Sequence, residues 1–252
     1  MSLTRFSLEG RTALVTGCNK GLGRAMAVAL AEAGADIVGV NRSDDSATRE
    51  AIEALGRRYC SVTAALGETP PAAIVEDALA RAGQVDILVN NAGLIRRAPA
   101  IEFSEADWDT VIDVNLKAAF FLAQHVARHL IARGVRGKII NVASLLSFQG
   151  GIRVPSYTAS KSGLLGLTRL MANEWAAQGI NVNAIAPGYM ATDNTRALRD
   201  DPQRNAELLA RIPAERWGEP EDIAGAAVFL ASSAADYVHG HALAVDGGWL
   251  AR

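Results

Sequence analysis

Thr12-Ala13-Leu14-Val15-Thr16-Gly17-Cys18-Asn19-Lys20-Gly21-Leu22-Gly23 is the stretch that decides the fold. Five residues able to bury both faces of a strand run into a glycine-rich turn, and the turn opens a helix-period segment over Leu22–Ala33. Glycine lets backbone amides approach a ligand without an obstructing Cβ. The helix that follows points unpaired N–H groups and a positive dipole end at the same spot, which suits a pyrophosphate. The spacing is GxxxGxG, not the commoner GxGxxG. Its place between a first strand and a first helix carries the cofactor reading of Gly17, Asn19, Lys20, Gly21, Leu22 and Gly23.

Working outward, the same alternation continues to the end of the chain. Strands are expected at Thr12–Thr16, Asp36–Asn41, Tyr59–Ala64, Asp86–Asn90, Lys138–Ala143, Asn181–Ala186 and Ala242–Val245. Helical periodicity fills Ser46–Leu55, Pro71–Arg81, Ser104–Arg133, Ser156–Gln178 and Glu219–Ser232. Strands alternating with helices predict a parallel sheet covered on both faces by right-handed crossovers. The fold class is therefore α/β, a single doubly wound Rossmann-type domain over residues 1–252. Gly34 and Gly179 stand where helices should stop. Residues 188–217 read as the least regular stretch, placed where a substrate loop would lie or, equally, a surface excursion.

Composition excludes several classes. Of 252 residues 50% are hydrophobic and 21% charged, and 25 Lys+Arg against 27 Asp+Glu leave a net charge of −2. No basic run marks a nucleic-acid or membrane partner. Cys18 and Cys60 form no disulfide framework, and the histidines make no metal-ligand pattern. A soluble cytoplasmic protein without metal is the expectation.

The chemistry-bearing pattern is Tyr157-Thr158-Ala159-Ser160-Lys161, with Ser144 thirteen residues earlier. Positions i and i+4 share a helix face, so phenol and ammonium project together. A fixed cation is expected to pull the phenol down from its ordinary value near 10, toward useful proton transfer. Ser144, from a neighbouring strand end, would hold a carbonyl or alcohol oxygen beside it. Asn90-Asn91-Ala92-Gly93 closes the fourth strand, with Asn90 readable as a cap alone. Asn115 lies in an otherwise apolar helix, where a buried amide must either fix a kink or hold a water.

These motifs, with Pro187-Gly188, occur in the order and spacing of the short-chain dehydrogenase/reductase family, which the whole chain resembles. The resemblance implies seven parallel strands, a nicotinamide dinucleotide and a homotetramer. It implies Tyr157 as catalytic acid/base, Lys161 lowering its pKa and holding the nicotinamide ribose, Ser144 orienting the substrate, and Asn115 anchoring a relay water. Asn91, Ala92 and Gly93 would line the cofactor, as would Pro187 and Gly188, with Thr192 near the carboxamide. NAD is implied, with NADP as the alternative. Where an acidic residue usually ends the second strand this chain has Asn41-Arg42, with Asp44 and Asp45 following, and Ala65 replaces a frequent aspartate near the adenine.

Leu94–Arg97, Leu146–Pro155 and Val245–Arg252 further resemble the branch acting on keto-deoxy sugar acids of uronate breakdown. That implies reversible reduction of 3-deoxy-2,5-diketo-gluconate to 2-keto-3-deoxygluconate. Guanidinium groups bind carboxylates bidentately. Arg153, helped by Arg96 or Arg97, is thus expected to clamp the acid while Gln149 and Tyr189 meet hydroxyls; pairing with acids at a subunit interface competes with this. Trp249 is either core or subunit contact. Alternative functions are a reductase of another polyol, ketone or 3-oxoacyl thioester, and a nonenzymatic dinucleotide-sensing protein.

Overall fold

The central apolar runs become strands because they are hydrophobic on both faces and only burial on both faces removes that surface from water. A computed structural model describes residues 3–252. It contains β1 (Thr12–Thr16), β2 (Asp36–Asn41), β3 (Tyr59–Thr63), β4 (Ile87–Asn90), β5 (Gly137–Val142), β6 (Ile180–Pro187) and β7 (Ala242–Val245). They form one parallel sheet in the order β3-β2-β1-β4-β5-β6-β7. β1, β4, β5 and β6 are buried at every position. Three strands match the expected bounds, and the other four differ by one residue at one or both ends.

The helices are α1 (Gly21–Glu32), α2 (Ser46–Ala54), α3 (Pro71–Ala82), α4 (Glu105–Ile112), α5 (Ala118–Arg133), α6 (Pro155–Trp175), α7 (Arg196–Arg199), α8 (Pro202–Arg211) and α9 (Ala224–Ala231). Alternate strand residues feed two cores. Val15, Ile37, Val89 and Ile140 pack with Met26 and Leu30 of α1, Ile52 of α2 and Leu230 of α9. Leu14, Val38, Leu88 and Ile139 pack with Ile74 of α3, Leu122 and Leu130 of α5 and Met171 of α6. Each such fully buried leucine contributes about 2 kcal/mol of transfer free energy. After β3 the chain crosses to β4 on the other side of β1, which opens a crevice outside the carboxyl ends of β1 and β4.

Two segments depart from expectation. The helix expected through Ser104–Arg133 starts at a Ser104 cap, whose Oγ accepts from Asp107 N at 3.1 Å, but a π-helical turn at Asp113–Lys117 interrupts it. The stretch expected to be irregular carries α7 and α8. Leu208 and Ile212 of this stretch pack with Tyr189, Trp217 and the buried Trp249, so Trp249 is a core aromatic. Gly34 and Gly179 both take positive φ, as helix stops should. Among the described residues no helix is long and apolar enough to cross a membrane, and no trio of His, Cys, Asp or Glu is arranged for a metal.

Candidate active site

The crevice is built first from backbone. Gly17 takes φ 65° and donates to Val40 O at 2.8 Å, so the turn doubles back over the end of β2. Gly23 admits no side chain, because a Cβ there would strike Gly17 O and Asn91 Nδ2. Lys20 offers α1 no side-chain cap, which leaves the first-turn N–H groups to another acceptor. A cradle that a methyl group would fill, at an uncapped helix start, fits a dinucleotide's diphosphate.

The amides of the β4 turn hold this cradle in place. Asn91 Nδ2 donates to Thr16 O at 2.9 Å and Gly17 O at 3.0 Å, and Thr16 Oγ1 accepts from the N–H groups of Asn91 and Ala92, each at 3.0 Å. Asn90 Nδ2 donates to Ala119 O and Asn141 Oδ1, both at 3.0 Å, as a strand-end clip would. A Cβ on Gly93 would lie 3.2 Å from Asn115 Oδ1, so the turn passes close to the π-helical turn. There Asn115 accepts from Leu94 N and donates to Leu94 O, both at 2.9 Å, and donates to Ser160 Oγ at 3.3 Å. The buried amide joins the β4 turn to α6 and sits at a break in its own helix.

Three side chains converge beside that joint. Ser144 ends the extended backbone after β5, and its Oγ accepts from Leu146 N at 3.2 Å. Pro155 starts α6 and places Tyr157 and Lys161 one turn apart. Lys161 is 4% exposed and donates from Nζ to Val142 O at 2.6 Å, with Nζ 5.7 Å from the Tyr157 ring centre. Burial pushes the Lys161 ammonium down to about 8. Burial also pushes the Tyr157 phenol up, and a hydrogen bond from Ser144 and the charge of Arg97 pull it back. The direction is opposite to the one expected of Lys161, because desolvation outweighs every group facing the phenol.

The remaining expected residues divide by what they touch. Arg96 pairs with Asp107 at 3.1 Å. Arg97 donates to Asn194 O at 3.1 Å while acting on Tyr157, so the sequence reading that took the two arginines as interchangeable missed a difference set by which way the loop turns. Arg153 is exposed and holds φ 64°, and Gln149 is half-buried. Tyr189 meets Trp217 edge-on and Trp249 at a tilt, with ring centres 5.7 and 4.7 Å away. Pro187 is buried at the end of β6, and a Cβ on Gly188 would lie 2.6 Å from Asp246 Cα. Thr192 caps the turn at Asp193–Thr195, and its Cγ2 is the atom nearest a Cβ built on Gly21, at 3.8 Å. Lys20 Nζ meets Asp193 Oδ2 at 2.7 Å, which ties the glycine turn to the segment before α7.

At the end of β2, Asn41 is buried, accepting from Asn19 N at 3.0 Å and donating to Asp45 Oδ2 at 2.9 Å. Arg42 is exposed. Asp44 caps Ser46, accepting from its Oγ at 2.7 Å.

The chain is similar to known proteins along its length. A family model described as enoyl-(acyl carrier protein) reductase matches residues 17–250. The chain is 63% identical to 2-dehydro-3-deoxy-D-gluconate 5-dehydrogenase of Escherichia coli, over all of both chains. It is 57% identical to the Bacillus subtilis protein of that name, over 98% of this chain and 97% of that one. Among solved structures, a gluconate 5-dehydrogenase of Burkholderia cenocepacia in complex with NADP and tartrate is 42% identical, with a TM-score of 0.95 over the whole of both chains. An Agrobacterium tumefaciens protein described as a 2-deoxy-D-gluconate 3-dehydrogenase, with bound NADP, is 61% identical, with a TM-score of 0.93 over 98% of this chain and 99% of that one.

Proposed function

The chain belongs to the short-chain dehydrogenase/reductase family, and on that premise we propose that it is a reversible oxidoreductase of keto-deoxy sugar acids. The substrate pair is 3-deoxy-2,5-diketo-gluconate and 2-keto-3-deoxygluconate. The observation that carries the reading is the pair Tyr157 and Lys161 one turn apart on α6, with Lys161 Nζ 5.7 Å from the phenol ring centre, beside a glycine cradle that suits a dinucleotide. The identity to sugar-acid dehydrogenases supports the substrate class.

The nicotinamide, when bound, supplies or accepts the hydride. Tyr157 gives a proton to the oxygen that gains charge during reduction and removes it during oxidation. Ser144 holds that oxygen at the phenol, where stabilising developing charge gives the rate. Asn115 fixes the distance between the β4 turn and α6, and so the geometry of Tyr157. Gly17 through Gly23 hold the diphosphate, Asn91, Ala92 and Gly93 support it, and Pro187, Gly188 and Thr192 line the nicotinamide. Arg97 and Arg153 read the carboxylate; Arg96 joins them only by giving up Asp107. Residues 188–217 form the substrate side of the crevice. Either NAD or NADP is accommodated, with the exposed Arg42 favouring a 2′-phosphate.

The test is absorbance of reduced nicotinamide with 2-keto-3-deoxygluconate and NAD⁺ or NADP⁺ at alkaline pH. Rapid reduction of either cofactor is expected, and binding without turnover would reject the substrate. Arg97→Ala should raise KM for the sugar acid more than for an uncharged ketone, whereas equal effects would reject carboxylate reading. A cytoplasmic homotetramer belongs to the same reading, supported by the exposed Trp108, Phe121 and Leu170. Light scattering should give four chain masses, and a monomer would reject it.

A further inference from the structure

A buried polar cluster below the adenosine end of the crevice takes no part in the proton chemistry. Tyr59 begins β3, and its ring lies along the sheet over Gly39 of β2. A Cβ on Gly39 would strike the Tyr59 hydroxyl and would come within 2.9 Å of Cys18 Sγ. The missing side chain lets the hydroxyl cross β2 and donate to Asp45 Oδ2 at 2.7 Å. Ser61 Oγ donates to the same oxygen at 2.7 Å, and Asn41 Nδ2 does so at 2.9 Å. Asp45 is 7% exposed. Burial raises its carboxyl, but the bonds from Ser61, Tyr59 and Asn41 and the charge of Arg49 outweigh that and leave it below its ordinary value. It is an anion held inward by three donors on one oxygen.

The consequence lies on the outer side of the same loop. Asp44 is exposed but folded back onto the start of α2, where it accepts from Ser46 N and Oγ, and Asp45 is turned in. Outward beside Asp44 lie Arg42, Ser43 and Asn19, whose Nδ2 donates to Ser43 Oγ at 3.0 Å. A carboxylate at this end of the second strand accepts from the ribose hydroxyls and repels a 2′-phosphate, and a guanidinium does the reverse.

We propose that Tyr59 and Ser61, which do not face the cofactor, set the choice between phosphorylated and unphosphorylated dinucleotide by keeping Asp45 turned inward. Freed of both hydroxyls, the carboxylate turns toward Arg42 and Ser43, neutralises the guanidinium and opposes a 2′-phosphate. The inference rests on the dinucleotide reading above and goes beyond it in naming what governs selectivity.

The test uses calorimetric dissociation constants of 2′,5′-ADP and 5′-AMP for the full chain. The parent should prefer 2′,5′-ADP. Tyr59→Phe with Ser61→Ala should cut that preference by about tenfold, the scale of one added like charge at the site. Adding Asp45→Asn should restore it. General loosening of the loop weakens both nucleotides together and leaves their ratio alone. An unchanged ratio in the double variant, or a loss that Asp45→Asn fails to reverse, overturns the inference. Failure of the parent to bind either nucleotide overturns the dinucleotide reading itself.

Discussion

Two buried lysines, one at each end of the same strand, are treated in opposite ways. Lys138, near the amino end of β5, is 7% exposed and donates to Asp236 Oδ1 at 2.7 Å and Asn181 Oδ1 at 3.0 Å. Burial pushes it down, and Asp236 makes up only part of that fall. Lys161, packed against the carboxyl end of β5, is 4% exposed and has only the Val142 carbonyl. Nothing opposes its desolvation, and it falls to about 8. The amino end follows this rule elsewhere too: buried Asp86 accepts from Thr12 N at 2.9 Å and from Arg133 at 3.1 Å. A fold that pairs its buried charges at one end and leaves one without a counter-ion at the other has put stability and chemistry at opposite edges of one sheet.

The comparison is sharpest where activity alone should change. Tyr157→Phe keeps the ring and deletes the proton, so kcat should fall by ~10²–10⁴, at the upper end of that range, with little change in unfolding free energy. Retained activity would remove Tyr157 from its role. Lys161→Met should lower kcat/KM by about 10²-fold or more while leaving the protein as stable or about 1 kcal/mol more so at neutral pH, because a buried charge without a partner has gone. The sign with pH follows from the depressed value. Between about 8 and 10.5 the folded lysine has lost a proton that the unfolded one keeps, so its contribution to stability rises with pH. In denaturant titrations the parent should therefore gain stability relative to the variant as pH rises through that window; a relative loss would contradict the depressed value. Asp236→Ala is the mirror experiment. It strands Lys138 and should cost about 2 kcal/mol, moderated because a third of the Asp236 side chain meets solvent, with kcat/KM within about twofold of the parent. A large activity loss would break the division between the two ends.

The sheet was readable because an all-buried parallel strand leaves a continuous apolar run, as in Ala13-Leu14-Val15 of β1 and Ile87-Leu88-Val89 of β4. Its edges were readable to a residue where Gly or Asn stops that run. The π-helical turn was not, since one extra residue within a turn barely alters the apolar period around Asn115. Helix α8 was hidden by its polar outer face, Leu208 being its one buried residue. In the site, Tyr157, Lys161 and Ser144 are fixed by spacing along α6 and the end of β5, and spacing is visible in a sequence. The direction in which burial moves the phenol depends on neighbours from elsewhere in the chain, Ser144 and Arg97 among them, and is not. Asp45 shows the same limit: its inward turn depends on a missing side chain at Gly39 and a hydroxyl from another strand.

The low value of Lys161 also makes it a nucleophile. An amine that is half neutral near pH 8, beside a bound ketone, has the makings of an imine. Its burial and its hydrogen bond to Val142 O hold the nitrogen against the strand. Borohydride added with a keto acid should leave Lys161 unalkylated, and a trapped adduct there would show that the fence is open. The packing that tunes this lysine thus also keeps a dehydrogenase from drifting into Schiff-base chemistry with its own substrate.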